Sequence, residues 1–325
     1  MDETLEKTAE PAVLEVPEEL AGQRFDRTLA QLFPDYSRGW LQRAIRDGAA
    51  TLDGRVVRPR DAVTAGATVV LTVRPAPTQA WTPQAIRLAI LYEDDDIIVV
   101  DKPAGLVVHP GAGNADQTLA NALLHHDPEL TNIPRAGVVH RLDKDTSGLM
   151  VVARSLRAHT RLVAALSAHD VTREYLALVA GSPTAGGTID APLGRSRTHR
   201  TRMAVINGGK PARTHYRIAE RFRYHTALAL HLETGRTHQI RVHLTHIGYP
   251  IIGDRVYRGR TQAPSGTSPE VVDEIENLPR QALHARRLSF IHPGNEQQVE
   301  FESPLPDDIA RVQSQLRVDA ANGVR

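Results

Sequence analysis

Short apolar runs alternate with stretches of helical apolar spacing along the chain, a pattern typical of proteins that mix strands and helices. Strands are predicted at 88–92, 97–100, 149–153, 175–180, 214–218 and 226–232, and helices at 118–125, 157–168, 237–247 and 306–315. Several strands follow one another with no helix between them, so there is no βαβ rhythm. We therefore predict an α+β domain with a mixed, largely antiparallel sheet over residues 86–325.

The first part of the chain predicts a smaller unit over residues 14–75. Two short helices are indicated, the first carrying Phe25, Leu29 and Leu32 and the second opened by Ser37, carrying Leu41 and Ile45 and ending near Gly48. Asp53-Gly54 is a hairpin turn signal between residues 50–52 and 56–57, and residues 67–73 form a further strand. Arginines recur between the apolar positions of this unit.

Three segments lack such patterning. Residues 1–13 are predicted to be a disordered acidic tail, and the Pro-rich residues 76–85 a linker between the two units. Residues 258–279 are expected to form a mobile polar insertion.

Charge is distributed unevenly although the net charge of the chain is only +1. Residues 1–20 contain seven acids and one base, a net charge of −6, so the remaining residues carry +7. Within residues 193–223 there are nine Lys or Arg residues and a single acid, Glu220. Clustered positive charge of this kind favours phosphate contacts.

Composition excludes several classes of site. The chain has no cysteine, which rules out disulfides, a cysteine nucleophile and cysteine-ligated metals and fits a cytoplasmic location. No apolar run approaches the length of a membrane span, so no membrane contact is expected. The spacing of His238, His243 and His246 does not match a metal motif, so we predict no metal site.

The densest concentration of chemistry is the segment His140-Arg141-Leu142-Asp143-Lys144-Asp145-Thr146-Ser147-Gly148. It precedes the apolar strand 149–153, so its charges lie at the rim of a rigid element, where catalytic groups are usually found.

Two further segments carry polar groups on apolar elements. Tyr175 shares one strand face with Ala177 and Val179, where its hydroxyl needs a partner or its ring a ligand. In the helix 237–247, with Thr237 as the predicted N-cap, Arg241 lies close to the apolar stripe. A guanidinium in that position requires an anion, and Asp143 is the natural candidate.

These residues resemble the RluA-type pseudouridine synthases. The matching segments are HRLDKDTSG (140–148), REYLALV (173–179), GRTHQIRVH (235–243), VVDKPAGLVVHPG (99–111) and QALHA (281–285). The N-terminal unit resembles the S4-type RNA-binding module. Within the family, the chain is most similar to the members that modify large-subunit (23S) rRNA and carry such a module.

The resemblance implies isomerisation of specific uridines to pseudouridine, with the helix 69 stem-loop of 23S rRNA as the expected target and no cofactor. It implies Asp143 as catalytic aspartate, Tyr175 as active-site tyrosine and Arg241 as the ion-pair partner of Asp143. Contacts to RNA are expected from Arg141, which would hold the flipped base out, and from Lys102, Arg236, Arg38 and Arg46. The expected partner is rRNA, free or in a pre-50S particle, with the enzyme acting as a monomer without a nucleotide cofactor.

Two other classes of function remain to be weighed. A glycosidase could use Asp143 and Asp145 as its carboxylate pair. However, residues two apart in an extended loop point in different directions, and aromatic residues make up only 4% of the chain. A non-enzymatic S4-type RNA-binding or ribosome-assembly factor would need only the basic surfaces, and it would not need a carboxylate beside Tyr175 and Arg241.

Overall fold

The N-terminal unit is a three-stranded sheet covered by two helices. The structure, a computed structural model, describes residues 11–34, 36, 38–72, 81–111, 113–199, 202–257 and 263–322. The elements of this unit are β1 (Ala12–Glu15), α1 (Phe25–Leu32), α2 (Arg38–Arg46), β2 (Ala50–Leu52) and β3 (Thr68–Leu71). The antiparallel strands lie in the order β1-β3-β2. The predicted helical stripes are confirmed, because Phe25, Leu29, Leu41 and Ile45 are fully buried together.

Three details of this unit differ from the sequence prediction. Strand β1 begins at Ala12, inside the stretch predicted to be a disordered tail. The Asp53-Gly54 turn forms, with φ of 48° and 75°. However, the residues on its two sides pair only through one isolated bridge, between Leu52 and Arg55. The strand partner of β2 is β3 instead, and Asp53 Oδ1 accepts a hydrogen bond from the Thr68 amide. The predicted helix opener Ser37 lies outside the described residues.

The second unit is built on one long sheet. Its strands are β4 (Ile90–Glu93), β5 (Ile97–Lys102), β6 (Ser147–Ala153), β7 (Thr172–Ala180), β8 (Gly187–Asp190), β11 (Arg213–Arg221), β12 (His225–Leu232), β13 (Leu283–Ile291) and β14 (Gln298–Glu302), while β9 (Leu193–Arg195) and β10 (Met203–Val205) form a separate hairpin. The order is β4-β5-β6-β13-β7-β12-β11-β8, with β14 paired to β13. Only β6 and β13 run parallel among the described pairings, so the predicted mixed, largely antiparallel sheet is confirmed.

Helices pack on both faces of this sheet. They are α3 (Leu119–His126), α4 (Leu156–Ala168), α5 (Gln239–His246), α6 (Pro269–Asn277) and α7 (Asp307–Asn322). Alternate residues of a strand point to opposite faces, and β5 shows the consequence. Ile98 and Val100 join the core that includes α3 and α7, whereas Ile97 and Val99 pack with α4. A sheet covered on both faces explains why β5 and β6 are continuous apolar runs.

The prediction of a mobile polar insertion over residues 258–279 is wrong for the second half of this segment. Ser268 caps α6 by accepting a hydrogen bond from the Val271 amide, and Pro269 occupies the first turn. Val271 and Ile275, one turn apart, are buried in the main core. Residues 258–262 lie outside the described part of the chain.

The end of the predicted linker contacts the second unit. Residues 73–80 are outside the described residues, but the Gln84 amide donates to the Asn121 carbonyl and Asn121 Nδ2 donates to the Thr82 carbonyl. Ordered contacts of this unit therefore begin a few residues before the predicted start at 86. No helix in the described ranges combines the length and the hydropathy needed to cross a membrane.

Candidate active site

Asp143 lies in a tight loop that enters strand β6. The Thr146 amide donates to the Asp143 carbonyl, which closes the turn. Two buried cations hold the following backbone: Lys102 Nζ donates to the Lys144 carbonyl over 2.9 Å, and Arg280 Nη1 donates to the Asp145 carbonyl over 3.2 Å. These contacts come from distant segments, so the loop position is set by tertiary structure.

The loop can join the sheet only because residue 148 is glycine. Gly148 has a φ of 115°, a conformation that residues with a Cβ rarely adopt. A Cβ there would lie 2.2 Å from the Ala285 carbonyl oxygen of β13. The glycine thus allows the close parallel pairing of β6 and β13 directly after the loop.

Arg241 connects Asp143 to a second carboxylate. Its Nη1 donates to Asp143 Oδ2 over 3.1 Å, as the sequence predicted. The two-point contact goes elsewhere, because Nε and Nη2 donate to the two oxygens of Asp254 over 2.7 and 3.0 Å. The Asp254 side chain is 1% exposed and the Arg241 side chain 7% exposed. Both carboxylates and the guanidinium therefore form one nearly buried cluster.

The cluster favours the charged forms of Arg241 and Asp254. Burial alone would lower the pKa of Arg241, but hydrogen bonds and charge from Asp254, and then from Asp143, raise it above its ordinary value. Burial likewise opposes ionisation of Asp254, yet the Arg241 hydrogen bonds and the amides of Tyr257 and Val256 hold its pKa below the usual range. Arg241 is consequently a permanent cation with a fixed rotamer.

His238 faces the other oxygen of Asp143. Its Nε2 is 4.0 Å from Asp143 Oδ1, which accepts no hydrogen bond from the described residues. The Tyr257 hydroxyl accepts from the Met203 amide over 2.8 Å and lies 2.7 Å from His238 Nδ1. That hydroxyl has one proton, which it can donate to His238 Nδ1 when this nitrogen is unprotonated. The neutral imidazole then carries its proton on Nε2, toward Asp143.

The start of α5 corrects the predicted cap. His238, with a φ of 56°, is the N-cap residue, and no side chain caps this helix end. Thr237 is exposed and precedes the cap. Burial is the largest influence on His238 and lowers its pKa, against an opposing effect from Asp143, so the ring is neutral near pH 7.

Tyr175 contributes the apolar wall of the site. It is 5% exposed, and Ala177 and Val179, which share its strand face, are buried as well. Burial raises the pKa of its phenol, which therefore stays protonated at neutral pH. A neutral ring at the edge of a pocket is suited to stacking on a planar ligand.

These residues enclose a small pocket that opens into a larger cleft. The pocket, of about 50 Å³, is lined by Asp143, Tyr175, His238 and Arg241 among others. It has room for a few water molecules, so a nucleotide must also occupy space beyond it. The adjoining cleft, of about 840 Å³, includes Trp81, His109 and Arg135 in its lining.

Of the predicted RNA-contact residues, Arg141 and Arg236 are exposed where the pocket meets the cleft. Arg38 and Arg46 are exposed on α2, in the other unit. For Lys102 the structure contradicts the predicted contact with RNA. It is 1% exposed, and its ammonium donates to the carbonyls of Pro103, Leu106 and Lys144, so it holds loops together and cannot reach a phosphate.

Fewer cations of the basic stretch 195–223 are free to contact phosphate than its composition suggested. Arg213 pairs with Asp190 and Glu233, and Arg217 pairs with Glu174. Arg221 donates to two backbone carbonyls. The partners come from other strands and loops, which a local charge count does not include.

Metal binding is not indicated within the described residues, since they contain no group of three His, Asp or Glu side chains placed to hold an ion. His243 illustrates the alternative use of such residues: it is buried and contacts the Thr214 hydroxyl and the Ala191 carbonyl.

Sequence reasoning missed three residues of the site. Asp254 and Tyr257 lie in the loop after α5, and Arg280 precedes β13. The helical position of Arg241 indicated a buried cation, and a second acid nearby could have been sought as its partner. No local signal marks Arg280, which is joined to Asp308 and to the loop that carries Asp143 only in the folded chain.

Comparison with known proteins agrees with this geometry. The RNA pseudouridylate synthase family model matches residues 96–246. The chain is 56% identical over 305 residues to the ribosomal large subunit pseudouridine synthase D of Pseudomonas aeruginosa, covering 94% of this chain and 95% of that protein. The chain belongs to the RNA pseudouridine synthase family. It is an isomerase that acts on RNA.

Other relatives of the synthase cover a similar extent. The protein of the same name from Xanthomonas campestris is 54% identical over 319 residues, covering 98% of this chain and 96% of that protein. Among solved structures, human RNA pseudouridylate synthase domain containing 4 has a TM-score of 0.55 and 25% identity, covering 70% of this chain and 93% of the human chain.

Proposed function

We propose that this synthase converts specific uridines of large-subunit (23S) rRNA to pseudouridine, with the helix 69 stem-loop as its target. The support for the substrate is the name of the relatives, which are large-subunit synthases at 50–56% identity over nearly the whole chain. The free rRNA or a pre-50S particle is the partner.

One observation carries the catalytic assignment: Asp143 lines the pocket, its Oδ2 is held by Arg241, and its Oδ1 is left without a hydrogen bond from the described residues. The reaction breaks the N1–C1′ bond of uridine and forms a C5–C1′ bond; the proton of C5 leaves to solvent and N1 takes up a proton, so the product is an isomer. Attack by a carboxylate on C1′ or on the base, and abstraction of the C2′ proton, all require an oxygen in this state.

The surrounding residues support the substrate handling that this reaction needs. The target base must leave its stack, at a cost of a few kcal/mol. Arg141, exposed two residues before Asp143, would hold the base out, and Tyr175 would stack on the uracil. Arg38 and Arg46, on the exposed face of α2, would contact RNA outside the active site, as expected for an S4-like unit.

The test is the Asp143→Asn variant, which keeps the shape of the side chain and removes its charge. We expect normal folding and RNA binding, but no tritium release from rRNA that contains 5-tritiated uridine. Asp145→Asn is the matched control, because this carboxylate lies in the same loop but lines neither cavity. Release by Asp143→Asn at the wild-type rate would overturn the assignment.

The target is tested by mapping pseudouridines in rRNA with and without the gene. Loss of pseudouridine from helix 69 is the expected result. Loss from another site would exclude helix 69, and a wild-type protein that binds rRNA but releases no tritium would favour the non-enzymatic binding factor.

A further inference from the structure

Arg173 is a buried cation that lacks a counter-ion. It is 8% exposed, and its Nε is buried without a hydrogen-bond partner. No carboxylate of the described residues lies within ion-pair distance of its guanidinium. Burial of an unpaired charge is costly, so such a group is expected to meet an anion when the protein functions.

The nearest strand and loop acids are already engaged. Glu174, the next residue of β7, points to the opposite side and pairs with Arg217. Glu233 accepts from Arg213 and lies 2.7 Å from His215 Nε2. Asp143 is held by Arg241. The folded chain therefore leaves Arg173 positive while it pairs the acids around it.

Arg173 lies where the pocket and the cleft meet. Strand alternation places it on the same side of β7 as Tyr175. Of the residues that the structure describes, only four line both the pocket and the cleft, namely Arg141, Arg173, Gly235 and Arg236. We call these four residues the neck. Three of them are arginines, and the fourth has no side chain.

Gly235 keeps the guanidinium accessible to this passage. A Cβ at residue 235 would lie 3.2 Å from Arg173 Nη1, tighter than most contacts of this kind. With glycine there, the space beside Nη1 stays open to a ligand atom.

We propose that the neck is a phosphate site and that Arg173 binds a backbone phosphodiester next to the target uridine. This inference rests on the proposed function. The ribose that presents C1′ to Asp143 carries phosphates on its 3′ and 5′ oxygens, so one of them must pass the neck when the base occupies the pocket. A phosphodiester matches the planar fork of a guanidinium with two charge-assisted hydrogen bonds.

The first test combines a protein change with an RNA change. Stem-loop RNAs are made with a neutral methylphosphonate linkage on the 5′ or 3′ side of the target uridine. The wild type is expected to lose about tenfold or more in affinity for one of them, as for a hydrogen bond to a charged group. Arg173→Met is expected to bind the unmodified RNA equally weakly and to show no further loss with either modified RNA. A loss in Arg173→Met as large as in the wild type would overturn the proposal.

The second test uses salt. The log–log slope of affinity against salt concentration is expected to fall by roughly 0.7–0.9 in Arg173→Met, the value for one phosphate contact. Arg173→Lys keeps a point charge and is expected to restore the slope but only part of the affinity. An unchanged slope in Arg173→Met would also contradict the site.

Thermal stability separates a ligand-binding cation from a structural one. Arg280 is a matched control, because it is 6% exposed but paired with Asp308. Without RNA, we expect the Tm of Arg173→Met to equal or exceed that of the wild type and the Tm of Arg280→Met to fall. A fall of equal size in both variants would make Arg173 a structural residue and overturn the inference.

These outcomes are distinct from failure of the proposed function. Absence of tritium release by the wild type on the same rRNA would remove the function itself. Normal release by the wild type, together with a methylphosphonate response that Arg173→Met leaves intact, would remove only the phosphate site.

Discussion

Arg241 gives its two-point contact to Asp254 and only a single hydrogen bond to Asp143. The two carboxylates therefore have different roles. Asp254 is almost fully buried and fixes the guanidinium, whereas Asp143 is partly exposed and retains one oxygen that accepts no hydrogen bond from the described residues. The residue that orients the site is thus distinct from the residue proposed to react.

Asp254→Asn is expected to destabilise the protein and to abolish most of its activity. Removal of one charge from a buried pair costs about 3–5 kcal/mol, and Arg241 would keep only its single hydrogen bond to Asp143 as compensation. Chemical denaturation measures the stability, and tritium release measures the activity. Glu300→Gln is the control, because its pair with Arg287 is 41% exposed on both sides and solvent screening leaves it little effect on stability. Equal effects of the two changes would contradict the orienting role of Asp254.

Tyr175→Phe and Tyr175→Ala separate the ring from the phenol. Phenylalanine keeps the stacking surface, so RNA affinity is expected to remain near that of the wild type while turnover falls. Alanine removes the ring and is expected to weaken binding as well. Affinity is measured by titration with labelled RNA and turnover by tritium release at saturation. Equal loss of affinity in both variants would show that the hydroxyl, and not the ring, holds the base.

Acid is expected to destabilise the protein through His140. Burial lowers the pKa of His140 to about 3 from 6.5, with a smaller effect of Arg173 in the same direction. Its Nε2 accepts a hydrogen bond from the Val151 amide, which requires the neutral ring. Between pH 6.5 and 3 the unfolded chain binds more protons than the folded one, so stability falls as the pH falls, most steeply in the middle of that window.

The measurement is the free energy of unfolding of the wild type and of His140→Gln across that pH window. The variant is expected to lose less stability than the wild type between pH 6.5 and 3. His125→Gln, at an exposed position at the end of α3, is expected to follow the wild type. Parallel curves for the wild type and His140→Gln would refute the assignment.

The double variant Arg38→Gln, Arg46→Gln tests the N-terminal unit in the intact chain. We expect the salt slope of RNA binding to be lower by roughly 0.7–0.9 for each phosphate that the variant no longer binds, with an unchanged single-turnover rate at saturation. Arg24→Gln is the control, because Arg24 is already paired with Asp26 at 2.7 Å. If the double variant keeps the wild-type slope, this face of α2 does not contact phosphate.

Local patterns predicted the elements that carry the site. The apolar run of β6 and the apolar stripe of α5 depend on neighbouring residues alone, so their existence and the character of the α+β sheet followed from the sequence. The contact between Asp143 and Arg241 also followed, because a cation beside a buried stripe requires an anion. Strands β13 and β14 were missed. Charged residues interrupt the apolar pattern of β13, and β14 alternates regularly but contains only two apolar residues, Val299 and Phe301.

Only the tertiary structure decided which partner each charge meets. Lys102 and Arg173 both lie in segments that resemble the family motifs. Lys102 donates hydrogen bonds to three carbonyls, whereas Arg173 is left without a counter-ion among the described residues. Asp254 takes the two-point contact of Arg241, and Arg280 reaches the catalytic loop across 135 residues of sequence. Pairing depends on distances of a few ångströms between remote segments, and sequence periodicity describes only the neighbours of a residue along its own helix or strand.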